Sequence, residues 1–133
     1  MSRLLLDTTF LVDADRSRSI LDDVIADDDD AAIAAITVAE LLVGVHLADD
    51  AHRPDRQAFV DDVIDVVPIV DYDEAVASSH AELLAFVRRQ GRPRGAHDLI
   101  IAATAKATQR EVVSADSSAY GDLPGVVVRS HRA

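Results

Sequence analysis

The stretch Leu4-Leu5-Leu6-Asp7-Thr8-Thr9 decides how the rest of the chain is interpreted. Its three leucines are typical of a short buried strand, and one carboxylate and two hydroxyl groups follow them directly. In α/β proteins, ligands are held at the carboxyl ends of parallel strands, where loops and helix starts converge. Asp7 is therefore the first predicted site residue.

The spacing of apolar residues after this strand alternates between helical and strand patterns, which favours an α/β fold over a helix bundle. Further strands are predicted at Ala31 to Ile36, Val66 to Val70, Val112 to Val113 and Val126 to Val128. Helices are predicted at Phe10 to Arg18, Ile20 to Ala26, Thr37 to Leu47, from Pro54 onward, Glu74 to Arg89 and Ala96 to Thr108. We therefore expect a sheet of about five short strands with helices packed against it.

Capping and turn residues refine these boundaries. Ser19 and Asp73 are predicted helix N-caps, and Pro68 favours an edge position for its strand. The run Asp27 to Asp30 is predicted to be a solvated loop, because four adjacent like charges repel one another. The basic stretch Arg88 to Gly95 is predicted to be a loop, because it is rich in glycine and contains a proline.

Length and composition limit the class of protein. A chain of 133 residues with 49% hydrophobic content is expected to form one domain, residues 1–133. Its longest apolar runs are far below the roughly 20 residues that a membrane-spanning helix needs. There is no cysteine, which excludes disulfides, zinc–cysteine sites and thiol nucleophiles. We expect a soluble, cytoplasmic protein.

The formal net charge of −11 restricts the partners that this surface can bind. Proteins that hold nucleic acid through its phosphates usually present a basic face, whereas this chain repels a polyanion over most of its surface. Binding to nucleic acid would therefore need divalent cations and a local basic patch. The candidates for an RNA-backbone contact are Arg88, Arg89, Arg92 and Arg94. The alternative is that these arginines form a solvated helix end.

Three further acids follow strands or lie near helix starts, as Asp7 does. They are Glu40, Asp98 and Asp116. Each has an ordinary alternative explanation, since Thr37-x-x-Glu40 matches a capping box, and an aspartate at a helix start or turn favours the dipole or caps the backbone. Capping explains why an acid is tolerated at each position, but not why four acids would lie along one edge of a sheet.

Four close carboxylates favour a divalent cation, because without one some of them would have to take up protons. Oxygen ligands are typical of Mg²⁺ or Mn²⁺, whereas zinc prefers histidine or cysteine. No metal-ligand spacing is found at His46, His52, His80 or His131. A hard divalent ion can activate water and neutralise charge at phosphorus, so the predicted reaction is hydrolysis of a phosphodiester.

Four motifs together resemble those of PIN-domain ribonucleases, and most of all the VapC-type toxins of toxin–antitoxin pairs. The motifs are Leu4 to Thr9, Ala39 to Gly44, Asp98 to Ala103, and Ser114-Ala115-Asp116 with Tyr120. The resemblance implies a three-layer α/β/α fold with a mostly parallel central sheet. It also implies that Asp7, Glu40, Asp98 and Asp116 surround one or two Mg²⁺ or Mn²⁺ ions, that Thr9 helps to hold the metal or its water, and that the protein cleaves RNA.

The same resemblance implies partners for the protein. These are an RNA substrate, a second copy of the chain in a homodimer, and a small cognate antitoxin of the VapB type. Two positions depart from the family pattern. His97 stands where asparagine is common, which affects a hydrogen bond near the acids, and Ala119 stands where a further acid often precedes the aromatic residue.

Two other functions are alternatives to the nuclease. A phospho-acceptor signalling domain also clusters carboxylates around Mg²⁺, but it needs an adjacent acidic pair after the first strand and a lysine late in the sheet. Here threonines follow Asp7, and the single lysine, Lys106, is predicted to lie within a helix. A non-catalytic PIN-like module that binds RNA or protein would normally lack some of the four acids.

Overall fold

The computed structural model describes residues 1–16 and 26–130. Their five strands form one parallel sheet in the order β3-β2-β1-β4-β5. The strands are β1 (Arg3–Leu6), β2 (Asp30–Ala34), β3 (Ile69–Val70), β4 (Glu111–Ser114) and β5 (Val128–Ser130). The α/β prediction is confirmed, and the sheet is parallel throughout.

The helices connect these strands in the alternation that the sequence predicts. They are α1 (Thr8–Arg16), α2 (Ala35–Leu47), α3 (Arg53–Val66), α4 (Glu74–Gln90) and α5 (Ala96–Thr108), with a short 3₁₀ turn at Ser117–Ala119. The predicted helix Ile20 to Ala26 and its Ser19 cap lie outside the described residues, except for Ala26. In the described part of the chain, no helix has the length and hydropathy needed to cross a membrane.

Alternate side chains of the central strand enter two separate cores. Leu4 and Leu6 pack with Phe59 of α3 on one side of the sheet. Leu5 packs with Leu83 of α4 on the other. Because side chains alternate along a strand, a fully buried strand is apolar at every position, as this one is. The result is the three-layer arrangement, with β1 at its centre.

The start of α2 corrects two predictions. Strand β2 ends at Ala34 rather than Ile36, and α2 begins at Ala35 with Ala34 as an N-cap that makes no side-chain bond. The alternative explanation of Glu40, a capping box with Thr37, is therefore excluded. Thr37 lies inside the helix and is fully buried, so its side chain packs in the interior instead of capping the backbone.

The basic stretch is partly helical rather than entirely a loop. Arg88 and Arg89 belong to the last turn of α4, which ends at Gly91 in the left-handed conformation with φ of 66°. The predicted Asp73 cap is confirmed, because its carboxylate accepts a 2.9 Å bond from the amide of Val76. At the helix end the arginines suit the negative pole of the helix dipole.

The aspartate run is not a purely solvated loop. Asp30 is the first residue of β2, and its carboxylate pairs with Arg3 at 2.9 Å and with Arg110 at 3.1 Å. Asp29 accepts bonds from the amides of Ser2 and Ala26. The predicted edge position of β3 is correct, although that strand is only two residues long. The last strand is displaced to Val128–Ser130, where it pairs with β4.

Candidate active site

The centre of the sheet contains a point at which the connections change direction. Strands β2 and β3 extend the sheet on one side of β1, whereas β4 and β5 extend it on the other. A crevice forms at the carboxyl ends of the strands at such a switch point and commonly holds the ligand. Asp7 directly follows β1 and Asp116 lies two residues beyond β4. These two acids therefore flank the crevice.

Asp7 is buried, with 2% of its surface exposed, and its carboxylate is held on both oxygens. Oδ1 accepts bonds from the Thr9 hydroxyl at 2.8 Å and the Phe10 amide at 2.9 Å. Oδ2 accepts a 2.9 Å bond from the hydroxyl of Tyr120. The pKa of Tyr120 is raised, first by burial and then by the charge of Asp7, so the phenol remains a donor.

Glu40 lies on α2 and reaches towards β1. Its Oε1 accepts a 2.7 Å bond from the hydroxyl of Thr8, and its Oε2 lies 3.3 Å from Nδ1 of His97. Helices α1 and α5 therefore each contribute one group that orients this carboxylate. His97, the departure from the family pattern that was expected to affect a hydrogen bond near the acids, contacts Glu40 directly.

Asp98 lies in the first turn of α5 and is half-buried. The pKa of Asp98 is raised, first by burial and then by the negative charges of Glu40, Asp7 and Asp116. The imidazole of His97 acts in the opposite direction. The contacts agree with this proximity, because His97 beside Asp98 lies 3.3 Å from Glu40, and Thr8 beside Asp7 bonds the same carboxylate.

Asp116 is oriented by the turn after β4. Its amide donates to Oγ of Ser114 at 2.9 Å, and its Oδ1 accepts a 2.6 Å bond from the hydroxyl of Ser118. Ser114 Oγ also lies 3.3 Å from Thr9 Oγ1, which in turn accepts a bond from the amide of Ala115. Hydroxyl groups thus link the ends of β1 and β4.

The donor set suits a hard divalent cation. The four carboxylates supply oxygen ligands, and none of them forms a salt bridge with a lysine or arginine of the described residues. Within residues 1–16 and 26–130, no three acids or histidines are arranged as a complete metal-ligand set. Mg²⁺ does not require one, because it keeps several waters and is commonly bound by one or two carboxylates.

The four predicted RNA-backbone arginines have two different environments. Arg94 donates from both terminal nitrogens to main-chain carbonyls, to Ala119 at 3.1 Å and to Gly121 at 2.6 Å. It therefore fixes the loop before α5 to the turn that carries Tyr120. Exposed side chains without a hydrogen bond or ion pair to the described residues are found at Arg88, Arg89 and Arg92.

Sequence reasoning missed the orienting role of Thr8 and Ser114, and it did not single out Arg56, which lines a cavity of about 50 Å³ together with Glu40. Thr8 and Ser114 both carry hydroxyls at strand exits, which was an available signal. Arg56 carried no such signal, because only the packing of α3 against α2 places it near an acid.

The family model for the PIN domain matches residues 4–121. The chain belongs to the PIN domain family. The predicted resemblance is therefore confirmed, and this PIN domain carries its four acids within the matched residues.

Two endonucleases are similar to this chain in sequence. The chain is 30% identical over 95 residues to the tRNA(fMet)-specific endonuclease VapC of Salmonella typhimurium, and 28% identical to that of Shigella flexneri. Each alignment covers 71% of this chain and 70% of the relative.

Solved structures are also similar. VapBC-5 of Mycobacterium tuberculosis, a member of the VapBC family of toxin–antitoxin systems, is 26% identical with a TM-score of 0.77, covering 98% of this chain and 99% of that one. VapBC2 of Rickettsia felis, bound to a promoter DNA fragment, has a TM-score of 0.86 at 22% identity, covering 96% and 98%. At 22% identity, the similarity to the Rickettsia felis structure shows a shared fold only.

Proposed function

We propose that this PIN domain is a metal-dependent endoribonuclease that acts as the VapC-like toxin of a toxin–antitoxin pair. The observation that carries this proposal is the meeting of four acid-bearing segments at the switch point of the sheet, where bonds through Thr8, Thr9, Ser114 and His97 link the residues around Asp7, Glu40, Asp98 and Asp116. The two characterised VapC relatives are endonucleases, which supports the same reaction class. As in the sequence analysis, the proposed catalytic acids are Asp7, Glu40, Asp98 and Asp116.

Mg²⁺ or Mn²⁺ is the proposed cofactor, with Asp7 and Asp98 as principal ligands and Glu40 and Asp116 as further ones. When bound, such an ion activates water and neutralises charge at the phosphorus centre. The protein side chains around it have orienting roles. Tyr120 and Thr9 hold the Asp7 carboxylate, while Thr8 and His97 hold that of Glu40.

RNA must approach an acidic protein, so a basic contact beside the site is needed. Arg88, Arg89 and Arg92 at the end of α4 are the proposed backbone contacts, because their charges are exposed. Arg94 is not proposed for this role, because two of its nitrogens already donate to carbonyls. The phospho-acceptor alternative is disfavoured further, because Lys106 pairs with Glu82 at 3.2 Å on the helical layer.

The proposed protein partners follow from the relatives. The similar structure from Mycobacterium tuberculosis is of a member of the VapBC family of toxin–antitoxin systems. We therefore propose a small VapB-like antitoxin as the cognate inhibitor. We also propose a homodimer as the assembled toxin, because the resemblance to VapC-type toxins implies one. Co-purification from cells that express the chain with its neighbouring gene, followed by mass measurement, tests both.

The catalytic proposal is tested with purified protein and a fluorescent RNA. The wild-type protein should cleave the RNA in the presence of Mg²⁺ or Mn²⁺. Its activity should be lost in excess EDTA and should return when the metal is restored. Asp7→Asn and Asp98→Asn should reduce cleavage to background. Asp65→Asn is the matched control, because it makes the same change on the exposed face of α3. Undiminished cleavage in EDTA, or by either site variant, would refute the metal mechanism.

A further inference from the structure

Gly95 lies unusually close to the carboxylate of Asp98. A methyl group placed on Gly95 would lie 2.7 Å from Oδ2 and 3.4 Å from Cγ of that side chain. Real Cβ atoms essentially never lie within 3.0 Å of another heavy atom outside their own and adjacent residues. Any residue other than glycine would therefore force the Asp98 carboxylate to rotate.

The backbone does not itself require glycine at this position. Gly95 has φ of −57° and ψ of 132°, which every amino acid adopts readily. It is also the N-cap of α5 and makes no side-chain capping bond. Serine, aspartate or asparagine would stabilise the start of this helix better. The close Asp98 carboxylate, rather than the backbone conformation, is therefore what glycine at this position makes room for.

The orientation of Asp98 matters because no donor fixes it. Asp7, Glu40 and Asp116 each accept a hydroxyl hydrogen bond, whereas Asp98 receives no hydrogen bond from the described residues. Space, rather than a hydrogen bond, determines where this carboxylate can point.

We propose that Gly95 is a positioning residue, whose missing side chain leaves the room in which the Asp98 carboxylate faces the other three acids. This inference rests on the proposed metal-dependent function. It predicts that a side chain at position 95 weakens metal binding even when the fold is intact. Replacement of groups that orient metal ligands typically costs about 10- to 100-fold in metal affinity.

The test measures Mn²⁺ binding directly by electron paramagnetic resonance of the free ion, without RNA. Gly95→Ala should weaken Mn²⁺ binding by about tenfold or more. Gly95→Ser should do the same although serine is a good N-cap, which separates steric positioning from helix capping. Gly44→Ala is the matched control, because its added methyl group would come no closer than 4.0 Å to another residue. That control should bind as wild type does.

A double-variant cycle isolates the contact. In the Asp98→Ala background, adding Gly95→Ala should leave the residual Mn²⁺ affinity unchanged, because the atoms that clash are gone. If Gly95→Ala and Gly95→Ser bind Mn²⁺ as wild type does, the positioning role is refuted while the nuclease proposal stands. If wild type binds no Mn²⁺ at all, both are refuted.

Discussion

Tyr120 and Asp7 are joined by a 2.9 Å hydrogen bond although they are 113 residues apart in the sequence. Both side chains are almost completely buried, at 1% and 2% exposure. The phenol therefore supplies a donor to a carboxylate that water reaches poorly. This bond connects the end of the 3₁₀ turn Ser117–Ala119 to the exit of β1, and through Asp7 it connects the fold to the candidate metal site.

Tyr120→Phe should destabilise the metal-free protein by about 1.5 to 3 kcal/mol, because it leaves a buried charged oxygen without its donor. Urea unfolding in EDTA measures this change. The control is Tyr72→Phe, whose hydroxyl bonds His80 at an exposed position and should change stability by no more than about 0.5 kcal/mol. Equal losses for the two variants would contradict a special role for the Tyr120 bond.

Asp98→Asn should stabilise the protein in EDTA at neutral pH while it removes cleavage. The pKa of Asp98 is raised above its ordinary value of 3.8 in the folded state, so folding favours the protonated form. Its contribution to stability is greatest at low pH and is lost as the pH rises through the folded pKa. At neutral pH the charged form is unfavourable, and asparagine removes that charge.

Thermal unfolding of metal-free protein from pH 4 to pH 8 measures this effect. The advantage of Asp98→Asn over wild type should grow as the pH rises, and it should shrink when Mn²⁺ is added to both proteins. Asp65→Asn, at an exposed position, should show neither trend. A variant at position 98 that is less stable than wild type at neutral pH would argue against crowding of the four acids.

Replacing the exposed arginines by alanine should flatten the salt dependence of RNA binding. For single-stranded nucleic acid the slope of log K against log salt is about −0.7 for each phosphate contact, so each lost contact reduces its magnitude by about 0.7. Arg88→Ala, Arg89→Ala and Arg92→Ala are tested singly in the non-cleaving Asp7→Asn background at constant Mg²⁺. An unchanged slope in all three would remove the support for this RNA contact.

Arg94→Ala should have a different effect from those three substitutions. Its two bonds to the carbonyls of Ala119 and Gly121 are lost, so unfolding free energy should fall by about 1 to 3 kcal/mol. In the Asp7→Asn background, the slope of log K for RNA binding against log salt should not change. A reduced slope without a loss of stability would instead indicate that Arg94 contacts the RNA.

Several boundaries followed from local sequence alone. Helix α5 begins at Ala96 and ends at Thr108 as predicted, and Asp73 caps α4 as predicted. Helical periodicity and capping involve residues a few positions apart, so a short window contains the required information. The start of α2 was misjudged because Thr37 is a good capping residue in isolation, whereas burial in the core determined its actual position.

The sequence by itself determined the alternation of strands and helices, the burial of Leu4 to Leu6, and the placement of four acids after strands or near helix starts. These features follow from side-chain period, turn chemistry and charge, which are properties of neighbouring residues. The catalytic roles of the acids remain predictions.

Only the tertiary structure decided which distant groups meet those acids. Tyr120 faces Asp7, Thr8 and His97 face Glu40, and Arg94 binds carbonyls rather than standing free. Such contacts depend on the order of the strands and on how α5 packs beside α2. A contact that spans 113 residues has no local signature, because its geometry exists only once the sheet has formed.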